Sequence, residues 1–389
     1  GDGAKHREGP ESGPISGDAP RMQATRPYAG PALFSFGFRP FFLGAALWAA
    51  LAVPIWLYAF AAGGGMVGGM PGRDWHVHEM LFGFLPGVVA GFLLTAVPNW
   101  TGRLPVAGRG LAALAGLWLA GRAAMLFTAE LGWIAPAVDA AFLVAFAAVV
   151  WREVLAGKNL RNLPICGMVS LLALANIAFH LRAVWPQIGG VPERLALAVG
   201  ALLISLIGGR IIPSFTRNWM AQRRMTPEPA PFSTFDKATL GATAVALAAW
   251  TAVSDNPVVG GLLMLAGLLG FLRLARWCGA RAMAEPLVWI LHAGYLWLVL
   301  GLGLLGGSML WSVIPRSSGV HALTAGAIGV MTLAVMTRAT LGHTGRERRA
   351  DRRTLAVYLL INAAALVRVA APLSPALMIP LLVLSGFLW

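Results

Sequence analysis

The chain has 389 residues, 58% of them hydrophobic and 12% charged, with a mean hydropathy of +0.71. Soluble domains carry about 25% charged residues, so the composition excludes an ordinary soluble protein and indicates an integral membrane protein. The net charge of +14 does not indicate nucleic-acid binding, because the Lys and Arg residues fall in short loops between apolar runs, where positive charge sets membrane orientation.

The apolar runs are about twenty residues long and do not alternate, which fits membrane helices and not barrel strands. The expected fold class is therefore all-α. Cys166 and Cys278 lie far apart in sequence, so there is no disulfide framework and no Cys-x-x-Cys metal motif.

Residues 1 to about 30 are rich in Gly, Pro, Ser and charge and are expected to form a disordered tail, with too little apolar surface to fold. His6 is read as a bystander there. Residues 31–41 are aromatic with one arginine, a composition suited to the membrane interface. A single transmembrane domain then runs over 31–389. Its spans are expected at roughly 41–61, 79–100, 110–128, 133–151, 162–182, 194–214, 237–254, 257–277, 287–310, 319–341, 354–371 and 374–389. The last is short for a crossing at about 1.5 Å per residue, so a clipped C-terminus is expected. All but six of the 30 basic residues (Arg73, Arg122, Arg182, Arg194, Arg316 and Arg368) fall on one side of this topology. The positive-inside rule then places the N-terminus in the cytoplasm.

The second span opens with Trp75-His76-Val77-His78-Glu79-Met80. Ionisable groups at a membrane core are costly and usually functional. The bland alternative is a pair of interfacial, water-bonded histidines with an acid that complements the helix dipole. On a regular helix His76 and His78 point to different sides; on an extended lead-in they share one. His180 closes the fifth span with Asn176 one turn before it, as a structural pair or a metal site. His321 opens the tenth span. His292 lies deep in the ninth, where Trp289, His292 and Tyr295 line one face. It reads as a heme ligand, part of a proton path or a helix–helix hydrogen-bond partner. His343 sits at the cytoplasmic end of the tenth span near Arg346, Arg348 and Arg349, roughly 33 Å from His321 on a continuous helix, so the two cannot share one metal ion. Arg210 is a cofactor contact if it faces an anionic group; snorkelling to the interface is its default.

The second and tenth spans match internally. His78 to Arg103 and His321 to Arg346 have equal spacing, both end in Thr-Gly-Arg, and Gly83 coincides with Gly326. In the sixth span Pro213-Ser214-Phe215-Thr216 resembles Pro98-Asn99-Trp100-Thr101. These matches point to three four-helix pseudo-repeats that bring the second, sixth and tenth spans to one centre, with His78 facing His321. Heme-copper oxidases share such an arrangement at the level of fold analogy. The sixth and seventh spans here carry no histidine, so an active-site copper would need other ligands.

GFRPFF (37–42), WHVHEMLFGF (75–84), PNWTGR (98–103), GGRIIPSFTRN (208–218), LHAGYLW (291–297) and TRATLGHTGR (337–346) together resemble the NnrS family of bacterial membrane proteins. That resemblance implies an inner-membrane protein associated with heme and copper and with defence against nitric oxide. The leading expectation is a heme b protein, with copper as a second metal, that reduces nitric oxide to N2O with electrons from an unidentified donor. His78 and His321 are the expected ligands, with His76 beside them. His292 and His343 serve a second centre or proton route, and Glu79 and Tyr295 are the candidate catalytic residues. The alternatives are a proton-coupled secondary transporter and a non-catalytic heme or copper handling protein. The expected surroundings are the lipid bilayer, with no nucleic-acid partner.

Overall fold

Residues 28–63 and 65–389 are described by the computed structural model, so His6 and nearly all of the expected tail lie outside the described residues. Among the described residues there are twelve helices of more than ten residues: α1 (Phe38–Ala61), α2 (Gly72–Thr101), α3 (Gly108–Leu126), α4 (Ile134–Ala156), α5 (Leu160–Leu181), α6 (Val191–Ala221), α7 (Thr234–Ala252), α8 (Pro257–Ala275), α9 (Pro286–Gly307), α10 (Arg316–His343), α11 (Arg352–Leu373) and α12 (Pro375–Leu388). The one strand pairing among the described residues is a short hairpin, Met66–Val67 with Met70–Pro71, between α1 and α2. The fold is all-α.

Nine of these helices are long and apolar enough to cross a membrane. The exceptions are α3 and α7, which do not reach the same apolarity, and α12, which is shorter.

Local chemistry sets several helix ends. The Asn256 side chain accepts the Val258 N–H at 2.8 Å to start α8, and Asp351 accepts the Thr354 N–H at 2.7 Å to start α11. A Ser233/Asp236 capping box starts α7. These side chains satisfy N–H groups that a helix start leaves free. At the end of α2, Gly102 has φ +70° and donates its N–H to the Pro98 carbonyl at 2.9 Å, a left-handed stop that glycine takes without steric cost.

Two large apolar clusters form the interior, one mainly from α1 to α5 and one mainly from α7 to α11; α1, α2 and α6 contribute to both. Of the apolar stretch of α2, 78% is buried, and of those of α6, α9 and α10, 67% each, against 33–44% for α1, α4, α5, α8 and α11. The first four are inner helices and the others present a face to lipid. Helices α8 and α9 approach closely at Gly260 and Gly306. A Cβ on Gly260 would lie 2.8 Å from the Gly306 carbonyl oxygen, and one on Gly306 would lie 2.5 Å from that of Gly260, so small residues are needed there.

The inner helices α2, α6 and α10 each contain a widened π-helical stretch: Glu79–Phe84, Ile204–Gly208 and Ala322–Gly329. Such stretches are rare and frequently mark functional sites. In α2 and α10 the widening begins at the residue after His78 and after His321; in α6 it begins further along the helix, after Leu203. The same three helices line an apolar cavity of about 80 Å³ between Val88, Phe92, Ile204, Ile207, Ile328 and Met331. They therefore meet around one point, while the three-unit repeat itself rests on the sequence matches alone.

Candidate metal and proton site

His76 and His78 both lie on regular helix at the start of α2, so their side chains leave the helix about 200° apart. That separation builds two different sites on two sides of α2.

His78 points towards α3, α4 and α5, where it is fully buried with Glu79, Arg122, Asp139, Asn176 and His180. Its Nδ1 lies 2.8 Å from Glu79 Oε1, and its Nε2 lies 3.1 Å from Asp139 Oδ2 and 3.2 Å from Asn176 Oδ1. Asp139 Oδ2 also accepts from Asn176 Nδ2 at 2.8 Å and lies 2.9 Å from His180 Nε2. Arg122 ties the two acids together, donating through Nη1 to Glu79 Oε2 at 2.5 Å and through Nη2 to Asp139 Oδ1. Gly83 gives the guanidinium its room, since a Cβ there would overlap Arg122 Nη1. Two carboxylates and one guanidinium leave one negative charge, and unbalanced buried charge is expensive. A proton on an imidazole, or a metal cation, completes the balance.

The donor set also fits a cation. His78, Asp139 and His180 each offer one ligand atom, all within 4.8 Å of one another. Glu79 on the other ring nitrogen of His78 and Arg122 on the other oxygen of Asp139 are the kind of outer partners that orient metal ligands.

His76 points the other way, towards α1, α10 and α11. Its ring stacks on Trp56 with centroids 4.2 Å apart and planes 23° from parallel. Arg368 lies over the same Trp56 ring and lines the same cavity as His76, and His321 is near. The Nδ1 atom of His76 is buried without a hydrogen-bond partner, and that of His321 is buried with the Ser317 carbonyl beside it. Buried polar atoms are nearly always paired, and a neutral imidazole nitrogen without a partner is a ready metal ligand. His76 and Arg368 open onto a cavity of about 70 Å³ that Met80, Phe84, Thr324, Ile328 and Trp389 also line. The expected facing pair was His78 with His321; the structure brings His76 towards His321 and turns His78 away, since a helical lead-in puts the two on different sides of α2 and the packing of α2 sends His78 to Asp139.

The family model described as NnrS protein matches residues 32–389. The chain belongs to the NnrS family. Membership ties this membrane protein to nitric oxide. No curated protein matches the chain.

The remaining candidate residues of this NnrS protein sit elsewhere. His292 is buried on α9, with Nε2 2.9 Å from Thr216 Oγ1 on α6 and its other ring edge against Gly279. That is a helix–helix contact, one of the three roles expected for it. Tyr295 is buried one turn further on, where its hydroxyl accepts from Arg273 Nη1 at 3.3 Å and its ring packs edge-on against Trp277. His343 stacks on Phe38 with centroids 5.6 Å apart. Arg210 donates to Asn162 Oδ1 at 3.1 Å. None of these four contributes to the His76 cavity or the Asp139 cluster. Arg122, Asp139, Trp56 and Arg368 are the site residues that sequence reasoning passed over. A signal for the charged three was available, since each interrupts an apolar helix and intramembrane charge is costly.

Proposed function

We propose that this NnrS protein is a heme protein, with copper as its second metal, that removes nitric oxide at the end of the bundle carrying His76, His78, His180 and His321. The observation that carries this reading is the unpartnered, buried Nδ1 of His76 beside a small cavity, with the buried imidazole nitrogen of His321 nearby. Imidazole suits iron and copper alike. The 70 Å³ cavity admits an ion with a small ligand. A groove of about 490 Å³ shares Phe84, Gly386 and Trp389 with it and offers room for a planar macrocycle.

On this reading His76 and His321 hold the heme, and His78, Asp139 and His180 hold the second metal. The bound metals supply the redox chemistry. Two NO, two protons and two electrons give N2O and water, so the electrons come from a donor outside the chain. The chain's own residues do the rest. Trp56 fixes the His76 ring. Glu79 holds a proton at His78 Nδ1, and Arg122 keeps Glu79 and Asp139 in place as a buried proton reserve. The apolar cavity between α2, α6 and α10 borders the site through Ile328 and excludes water while admitting an uncharged gas. With the N-terminus on the cytoplasmic side of the inner membrane, as the basic loops favour, the site faces away from the cytoplasm.

An NO electrode trace with purified protein and reductant, alongside iron and copper analysis, tests this. NO consumption with bound metal supports it. Bound cofactor without turnover leaves a handling protein, and neither metal nor turnover refutes the reading.

A further inference from the structure

Three arginines are buried among the described residues: Arg122, Arg273 and Arg368. Two of them have carboxylates. Arg122 bonds Glu79 and Asp139, and Arg273 donates through Nε to Asp236 Oδ1 at 2.8 Å. Arg368 is 7% exposed and has neither an acid nor any hydrogen-bond acceptor among the described residues; its contact is with the Trp56 ring, 4.4 Å from the guanidinium carbon to the centroid. It opens onto the His76 cavity, whose lining contains no carboxylate. A guanidinium stays charged under all ordinary conditions, and a buried charge without a counter-charge is strongly disfavoured.

We infer that Arg368 is an anion site: it takes a singly charged group with two oxygens, a carboxylate or small oxyanion, held in the cavity beside His76. The planar fork of the guanidinium matches two such oxygens, the Trp56 ring behind it fixes its plane, and the cavity of about 70 Å³ limits the guest to a few atoms. Two sources share that chemistry: a free oxyanion such as nitrite, and a carboxylate carried by a bound porphyrin. The second rests on the heme reading above; the first stands without it.

The test uses the full chain in detergent, freed of any bound heme, as wild type, Arg368→Met and Arg368→Lys. Because the charge is unpaired in the empty cavity, Arg368→Met should melt no lower than wild type when no anion is added, whereas Arg122→Met should melt lower. Sodium nitrite should raise the wild-type melting temperature by about 2 °C or more at saturation and leave Arg368→Met unmoved, if the anion is free. If the carboxylate is a porphyrin's, nitrite has no effect, wild type binds added hemin, and Arg368→Met binds it at least about tenfold more weakly, with Arg368→Lys between them. Equal nitrite response and equal hemin affinity in wild type and Arg368→Met overturn the site. Absence of iron, copper and NO consumption would remove the heme reading and leave the nitrite result standing.

Discussion

Replacing Arg122 with methionine tests the charge account of the Asp139 cluster. Arg122 is 1% exposed and holds two carboxylates that are themselves buried. Methionine keeps most of the volume but leaves Glu79 and Asp139 without their shared cation. Breaking a buried ion pair by removing one partner costs about 3–5 kcal/mol, which corresponds to a fall in melting temperature on the order of 10 °C. The double variant Arg122→Met with Asp139→Asn removes one charge of each sign and should recover part of the loss, with a coupling of at least about 1 kcal/mol. The assay is thermal unfolding of the purified full chain in detergent, followed by loss of the monodisperse peak. A single variant within about 1 kcal/mol of wild type, or a double variant whose losses simply add, would refute the reasoning.

Gly209→Ala should destabilise by about 1–3 kcal/mol: its Cβ would overlap the Arg273 guanidinium, which Asp236, the Ser205 carbonyl and Tyr295 hold in place. Gly116→Ala, with open space around it, serves as the control and should be neutral or stabilising in the same melting assay. Xenon should enter the cavity between α2, α6 and α10, because apolar cavities of this kind stay dry and accept apolar guests, and Val88→Phe should abolish the xenon shift in ¹²⁹Xe NMR. The Thr354 N–H and hydroxyl hold the exposed Asp351 carboxyl below its ordinary value of 3.8. Its cap is therefore fully present above that value and is lost as pH falls through the lower folded-state value. Protection of the Thr354 amide, taken relative to the intrinsic exchange rate at each pH, should fall in that acid range, and Asp351→Ala should remove this change in protection.

The helices were legible because each apolar run announces itself locally: every expected span overlaps an observed helix, with ends up to seven residues apart, and nine of those helices are long and apolar enough to cross a membrane. The inner position of α2, α6 and α10 was legible from the matched ends of those spans. The partners of the histidines were less so. Asn176 and His180 share a face by spacing alone, and both do meet Asp139 Oδ2. Asp139 itself comes from α4, and only the packing of α3, α4 and α5 against α2 shows that it accepts from His78. The expected pairing of His78 with His321 came from their matched positions in the two spans, and spacing does not fix the rotation of α2 about its own axis, which turns His76 to that side. Arg122 and Arg368 were counted as orientation charge because the positive-inside rule sums loop charges and is blind to depth.

Under the proposed function, His76 and His321 hold the redox cofactor. Heme absorbance together with iron and copper analysis of purified wild type, His76→Ala and His321→Ala tests it most directly. Wild type should show a Soret band with stoichiometric iron, and both variants should lose it. No cofactor in wild type, or unchanged cofactor content in both variants, would contradict it.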